Sequence, residues 1–252
     1  MLRFLTSSIA SFQEFLFLAG RAFLNLVRRP HYYDDVFMQM DIIGWGSLPI
    51  VLPTGALSGA IIALQMSRAL NTYGANSQVG PIVALTLVRE LGPVLTALLV
   101  AGRNASGIAS ELGSMKVTEQ IDAMRALGTD PVQKLVTPRL SATAVMLPFL
   151  TVIADAVGWF AAYLIAVPLL HLVSGGAYWS TSWRALVPND LAQGLIKPFL
   201  FGIIIALVGC FYGLRTTGGT QGVGHATTQA VVAASIWIFF VTFLIDKIFV
   251  NL

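Results

Sequence analysis

The run VGPIVALTLVRELGPVLTALLVAG, residues 79–102, is apolar at nearly every position, yet it carries Arg89 and Glu90 beside a Gly-Pro pair. About 20 residues of helix cross the hydrocarbon of a bilayer, so a run of this length reads as a membrane span. Lipid offers no partner to open backbone groups, and no alternating ten-residue strand pattern is present, so the span is predicted to be helical. A charge near the bilayer centre costs on the order of 3 kcal/mol, so Arg89 and Glu90 must face protein or a wet cavity. Neighbouring residues on a helix point about 100° apart, and the two charges are therefore predicted not to face one partner directly.

The rest of the chain fits this reading. Of its 252 residues, 56% are hydrophobic and only 11% are charged, with a mean hydropathy of +0.77. A soluble domain carries roughly 25% charged residues, so an integral membrane protein is indicated. Four further apolar runs lie near 47–70, 140–170, 191–214 and 226–250. The predicted architecture is all-α: five transmembrane helices in one domain over 47–252, preceded by N-terminal interfacial helices, 1–46. Pro49, Pro53, Pro93, Pro148, Pro168 and Pro198 lie in or near these runs and predict kinks or loosened hydrogen-bond ladders. The lone cysteine, Cys210, excludes an internal disulfide.

Basic residues set the predicted orientation. Most of the 15 Lys and Arg fall in 1–46, in 103–139 and at Arg215, whereas Arg184 and Lys247 are alone on the opposite side. The N-terminus is thus predicted to be cytoplasmic and the C-terminus outside. In LRFLTSSIASFQEFLFLAGRAFLNLVRR, Leu5, Ile9, Phe12, Leu16, Ala19, Phe23 and Leu26 recur at helical spacing. The pattern predicts an amphipathic helix lying in the interface; Gln13 and Glu14 interrupt it too early for a signal peptide.

Several chemistries are missing. Gly-Lys does not occur, so there is no phosphate loop, and no G-x-S-x-G elbow accompanies the many hydroxyl residues. His31, His171 and His225 are too dispersed to suggest a metal centre. No basic block with interleaved aromatics points to nucleic acid. The Gly-rich stretch GLRTTGGTQGVGHATT, 213–228, reads as a flexible connector. Asp155 and Lys197 join Arg89 and Glu90 as charges inside spans. Glu90 and Asp155 read best as structural charges that fix helix packing, while Arg89 and Lys197 are equally suited to packing or to a cavity. Gly55 with Gly59, and Gly209 with Gly213, predict close helix contacts. Five spans make a thin bundle for a transport path, and a symmetric dimer with a cavity at its interface would suit them better.

One soluble-looking helix interrupts the apolar chain. In TEQIDAMRALGTDP, 118–131, Thr118 is a candidate N-cap, Gly128 and Pro131 mark an end, and Ile121, Met124 and Leu127 form a short apolar ridge. Glu119, Asp122 and Arg125 lie off that ridge. Such a helix can rest on the membrane or dock into a groove on a soluble partner. A permease without an ATPase site, showing a short helix between spans two and three, suggests a transporter whose motor is a separate chain. A membrane enzyme using Glu90, Asp155 or Glu111 and an uncoupled scaffold or channel are the competing classes.

The stretch LTLVRELGPVLTALLVAGRNASGIASELGSMKVTEQIDAMRALGTDPVQKLVTPRL, 85–140, closely resembles the MlaE/YrbE permease family of ABC lipid transporters. The similarity rests on R-E-L-G-P at 89–93, A-G-R at 101–103, E-L-G-x-M at 111–115, E-Q-I-x-A-M at 119–124, D-P at 130–131 and P-R at 138–139. It continues more weakly through DLAQGLIKPFLFG and GVGHATTQAVV. The resemblance implies a homodimeric permease in the bacterial inner membrane. Its partners would be an MlaF-like ATPase binding the ATP and Mg, an MlaB-like STAS protein and a hexameric MlaD-like MCE protein in the periplasm. The cargo would be phospholipid moving between inner and outer membranes, in maintenance of outer-membrane lipid asymmetry. No cofactor, metal or catalytic residue is implied on this chain. By position, the resemblance implies a lipid cavity lined by Ile62, Ala69, Leu70 and Tyr73, with Arg89 and Lys197 as polar members. It makes Glu119, Ile121, Asp122, Met124, Arg125 and Leu127 part of the coupling helix. The segment 171–190 holds Trp179 and Trp183 at helical spacing, which predicts a further interfacial helix.

Overall fold

The computed structural model describes residues 2–250, with side chains described for residues 9–249. Among the described residues the secondary structure is helical throughout. Helix α1 is Leu2–Val27 and α2 is Tyr33–Thr72. The second long helix, α3, covers Asn76–Val117 and is followed by the short α4, Gln120–Ala126. Then come α5, Val132–Leu169, and α6, Gly175–Ala185. The chain continues through α7, Pro188–Leu214, and α8, Gly219–Val250. Five of these, α2, α3, α5, α7 and α8, are long and apolar enough to cross a membrane.

Each long helix extends past its apolar run. Helix α2 has 40 residues, which at 1.5 Å per residue is about 60 Å, roughly twice the hydrocarbon thickness. Hydropathy detects only the part that lipid must solvate, whereas the backbone ladder continues into polar turns. The helix that carries the first apolar run therefore begins at Tyr33, well before residue 47. Wide π-type turns cover Leu87–Leu91, Ala101–Ala105, Val132–Val136 and Ile165–Leu169. The first precedes Gly92-Pro93 and the last contains Pro168, so two of the predicted disturbances take this form. Pro49, Pro53, Pro148 and Pro198 sit inside helices that stay α-helical around them.

The backbone forms two compact units. One comprises the chain up to Ile43, Val100–Ala144 and Gly202–Trp237. Its core joins Ala22, Ile108, Leu112, Ile121, Leu140 and Cys210, with Phe15, Leu18 and Ala19 of α1 packed against it. The outer side of α1 leaves Ile9, Phe12, Leu16, Phe23 and Leu26 exposed, five members of the predicted ridge; Leu5 lies outside the described side chains. An apolar face with no protein cover suits an interfacial helix. In the same unit, Gly209 and Gly213 bring α7 onto α3, where a Cβ on Gly213 would lie 2.8 Å from Leu112 Cβ.

The other unit comprises Gly44–Leu99, Val145–Phe201 and the chain from Ile238 on. Gly55 and Gly59 of α2 face Ala154 and Gly158 of α5, and a Cβ on Gly59 would stand only 1.9 Å from the Gly158 carbonyl oxygen. Both small-residue pairs thus serve helix contacts inside the chain. Helix α6 caps this unit. Ser174 Oγ accepts from the Ala177 N–H, Tyr178 and Ser182 are buried, and a Cβ on Gly80 would strike Ser182 Oγ at 2.4 Å. Trp159 lies edge-on to Trp179 and Trp183 at 5.0 and 5.3 Å, and Tyr178 Oη donates to the Trp159 carbonyl. Burial pushes the Tyr178 phenol well above its ordinary value, so it remains a donor at any physiological pH.

Two local readings are corrected. Residues 219–228 are not connector but the opening turns of α8; only the chain around Arg215–Gly218 links the helices, with Gly218 and Gly219 at positive φ. Gly222 is needed for packing rather than for flexibility, because a Cβ there would lie 1.8 Å from the Thr217 carbonyl oxygen. Nor does Thr118 cap α4. Its hydroxyl donates back to Ser114 O, closing α3, and Glu119 occupies the cap position in left-handed conformation at φ 59°.

Gly59→Val should force α2 from α5 and destabilise the protein by about 2 kcal/mol or more. Thermal unfolding of the detergent-purified chain measures this, with the exposed Gly102→Ala as a near-neutral comparison.

Candidate functional site

Three features gather the residues that sequence reasoning singled out. The first is a polar ladder within the unit that holds α6. Pro93 has no N–H, so the Arg89 carbonyl four residues back loses its usual helical donor. Lys197 of α7 replaces it, its Nζ donating to Arg89 O at 2.7 Å. The same ammonium pairs with Glu90 at 2.7 Å and with Asp246 of α8. Lys197 is completely buried, and these three acceptors match its three donors. One lysine thus ties α3, α7 and α8 together.

Arg89 turns to another rung. Its Nε donates to Asp190 Oδ1 at 2.6 Å, and Asp190 Oδ2 accepts from the Val187 N–H at 3.1 Å. Asp190 therefore closes the start of α7 as the third-residue carboxylate of a capping box does, while holding the guanidinium. Arg89 and Glu90 do have separate partners, as their angular separation requires. Both partners nevertheless belong to α7, seven residues apart, and the two pairs reach it from the wide turn Leu87–Leu91. Lys197 is locked in packing with no surface for a ligand, whereas the Arg89 side chain remains 44% exposed. Sequence reasoning missed Asp190 and Asp246. Their signal was present: an acidic residue in the first turn of a helix, and a charge in the apolar run IFFVTFLIDKIFV.

Asp155 departs from its expected part as a packing ion pair. It makes no ion pair or hydrogen bond among the described residues, and its buried Oδ1 presses on Gly92, where a Cβ would stand 1.7 Å away. Its contribution to packing is steric: Gly92 is the residue that makes room for it.

The second feature is the outer face of α2. A cavity of about 550 Å³ is lined by Ile61, Leu64, Gln65, Arg68, Leu170 and Leu172, among others. Arg68 has no ion-pair partner among the described residues. None of Ile62, Ala69, Leu70 and Tyr73, the positions in and just after α2 expected to line a lipid cavity, is in the lining of this one, and they divide by exposure. Ala69 and Tyr73 are exposed, Tyr73 by 82%, whereas Ile62 is buried and Leu70 packs partly against the same core as Ile62, Val79 and Val83. Helical periodicity separates them: 62, 66 and 70 face inward, and 61, 64, 65 and 68 face outward.

The third feature is α4. Gly128 ends it in left-handed conformation at φ 80°, with its N–H donating to Arg125 O and the Thr129 N–H donating to Met124 O, a Schellman cap. Asp130 Oδ1 then accepts from the Val132 N–H and opens α5. The apolar ridge does not act as a unit. Ile121 is fully buried and Met124 packs partly against the same core, so these two fasten α4 to its own chain, while Leu127 is 84% exposed. Glu119, Asp122 and Arg125 are exposed. Lys116 and Arg125 both pair with Asp122, and the Lys116 hydrogen bond chiefly holds the Asp122 carboxyl below its ordinary range. The outward surface is therefore Leu127 with a small charged rim.

The carboxylates do not form a catalytic pair. Glu90 is engaged by Lys197, Glu111 by Arg139 at 2.7 Å, and Asp155 stands alone. No group of three or more potential metal ligands occurs among the described residues. Breaking a buried ion cluster from one side leaves uncompensated charge, so Lys197→Met should destabilise the chain by about 3–5 kcal/mol. Adding Glu90→Gln and Asp246→Asn should recover much of that loss in a thermal-unfolding series; equal stability of Lys197→Met and the parent would refute the cage.

Comparison with known proteins identifies the family. A family profile described as Permease MlaE matches residues 36–248. A "Probable ABC transporter permease protein" of Rickettsia felis is 41% identical over 242 residues, covering 96% of this chain and 92% of that protein. "Protein TRIGALACTOSYLDIACYLGLYCEROL 1, chloroplastic" of Arabidopsis thaliana is 37% identical over 92% of this chain and 66% of its own length. The "Intermembrane phospholipid transport system permease protein MlaE" of Haemophilus influenzae is 32% identical over 93% of both chains. With five helices fit to cross a membrane and a match over nearly its whole length, this chain is a multi-pass membrane protein of the MlaE permease family of ABC transporters.

Proposed function

We propose that the chain is the non-catalytic permease subunit of an ABC transporter that moves phospholipid between the inner and outer membranes of a bacterium. It acts as a homodimer worked by a separate ATPase. The observation that carries the reading is the joint presence of a built docking helix and a cation in an apolar cavity. Helix α4 is capped at its C-terminal end, fastened by Ile121 and braced by Asp122, yet presents Leu127 outward. Arg68 stands among Ile61, Leu64 and Leu170, a combination suited to a phosphate with acyl chains.

In this reading the basic end of the chain faces the cytoplasm and the C-terminus the periplasm. The ATPase takes α4 as its lever, with STAS- and MCE-domain proteins completing the assembly. Closure of the motor moves α4. Because Ile121 and Met124 lie in one core with Leu112 and Leu140, that movement is delivered to the feet of α3 and α5 rather than dissipated in a loop. Packed helices with alternative arrangements give a two-state response that accepts or expels lipid. Ala69, Tyr73 and Arg68 supply the lipid surface and the half-exposed Arg89 a further cation, while Lys197 maintains the bundle.

Leu127→Asp should reduce co-purification of the co-expressed ATPase by about tenfold or more, since buried apolar anchors dominate such interfaces. Arg125→Glu should weaken it less. Met124→Asp is a poorer probe, since it also disturbs the core. Undiminished ATPase association in Leu127→Asp would assign α4 to the membrane surface instead. A photo-crosslinker at Tyr73 should capture phospholipid from native membranes, and Arg68→Glu should lower that capture several-fold. Capture unaffected by Arg68→Glu, or none at Tyr73, would count against this cavity.

A further inference from the structure

A second cavity lies in the unit of α6, on residues unlike those of the Arg68 cavity. It is a lateral groove of about 330 Å³ between parts of α3, α5 and α7, roofed by Trp183 and Leu186. Val88, Val152, Leu191 and Leu195 contribute apolar wall, and Trp183, Leu191 and Leu195 remain strongly exposed. The volume falls in the range of small-ligand sites and is too small to seat a transmembrane helix of about 10 Å diameter.

Asp155 is the charged residue in that wall, and no Lys, Arg or His lines the groove. Its Oδ1 is buried against Gly92, and its carboxyl has no hydrogen-bond partner among the described residues. One turn along the same face of α5, Trp159 also lines the groove, and its Nε1–H is buried without an acceptor. Buried polar groups without partners are costly; Asp155 and Trp159 both line the groove, and a modest rotation of each side chain would let one ligand there satisfy both. That partner must donate to a carboxylate and accept from an indole N–H. A hydroxyl does both, whereas an ammonium only donates. A phosphate or carboxylic acid would meet Asp155 with no cation to receive it.

We propose that this groove binds a neutral, hydroxyl-bearing single-chain amphiphile, of which a monoacylglycerol is the simplest example. The chain lies along the Val and Leu wall beneath Trp183, and the hydroxyl donates to Asp155 and, after a small side-chain rotation, accepts from Trp159. The site is distinct in chemistry from a phospholipid cavity and does not rest on the transport reading.

The test uses the full chain in phosphatidylcholine nanodiscs, with native mass spectrometry after incubation with monolauroylglycerol, lauric acid, dodecylamine or dodecyl phosphate. Monolauroylglycerol should be retained about tenfold more tightly than the other three, a ratio worth about 1.4 kcal/mol. Asp155→Leu should remove that preference, while Asp155→Asn, whose amide oxygen still accepts, should keep it within about threefold. Ala156 is exposed and lines the groove, so Ala156→Trp should fill it without disturbing the core and abolish retention. Preference for dodecylamine would overturn the hydroxyl assignment in favour of charge pairing. Equal retention of all four probes, or no retention of any, would overturn the site, leaving a bound water as the partner of Asp155. So would retention untouched by Ala156→Trp.

Discussion

A proline creates the constraint on which one half of this bundle depends. Pro93 leaves the Arg89 carbonyl without its helical donor in the middle of a span, where lipid cannot supply one. Lys197 answers that carbonyl and is then buried as a full charge, which is tolerable only because Glu90 and Asp246 close around it. The backbone defect and the ion cluster are one solution to one problem. A polar group exposed by the sequence is satisfied by a charge whose own burial requires two more, and three helices are held together as a result.

The close glycine contacts act with this ladder. Where α2 meets α5 at Gly59 and Gly158, backbone lies nearly against backbone, and dispersion replaces the hydrophobic drive that membranes lack. The ladder adds direction to that packing, because Arg89 with Asp190 and Glu90 with Lys197 define the alignment of α3 against α7 at two heights. A small slide of either helix would break both pairs together. Such a ladder favours discrete arrangements over continuous deformation.

Helix α4 shows how an exposed element can be both presented and held. Its start is strained, with Glu119 in left-handed conformation, and its end is closed by the Gly128 cap. Ile121 anchors it to a core shared with α1, α3, α5 and α7. The apolar ridge of this short helix divides into an anchored part, Ile121 and Met124, and a free tip, Leu127.

The sequence by itself determined the class of structure. Apolar runs longer than a bilayer is thick have only one economical state, and five of them, an amphipathic leading helix and the short helix after the second span were all legible as periodicity. The Gly55–Gly59 and Gly209–Gly213 contacts were legible too, since small residues one turn apart have few other uses in lipid. The tertiary structure alone decided which charge meets which. Asp190 is 101 residues from Arg89 and Lys197 is 107 from Glu90, and no local pattern encodes a contact made across such distances. It also decided that Ile121 and Ile62 face inward, that 219–228 is helix, and that Asp155 has no ionic partner among the described residues. Burial is a property of what a neighbouring helix covers, and a single chain read in order does not reveal its neighbours.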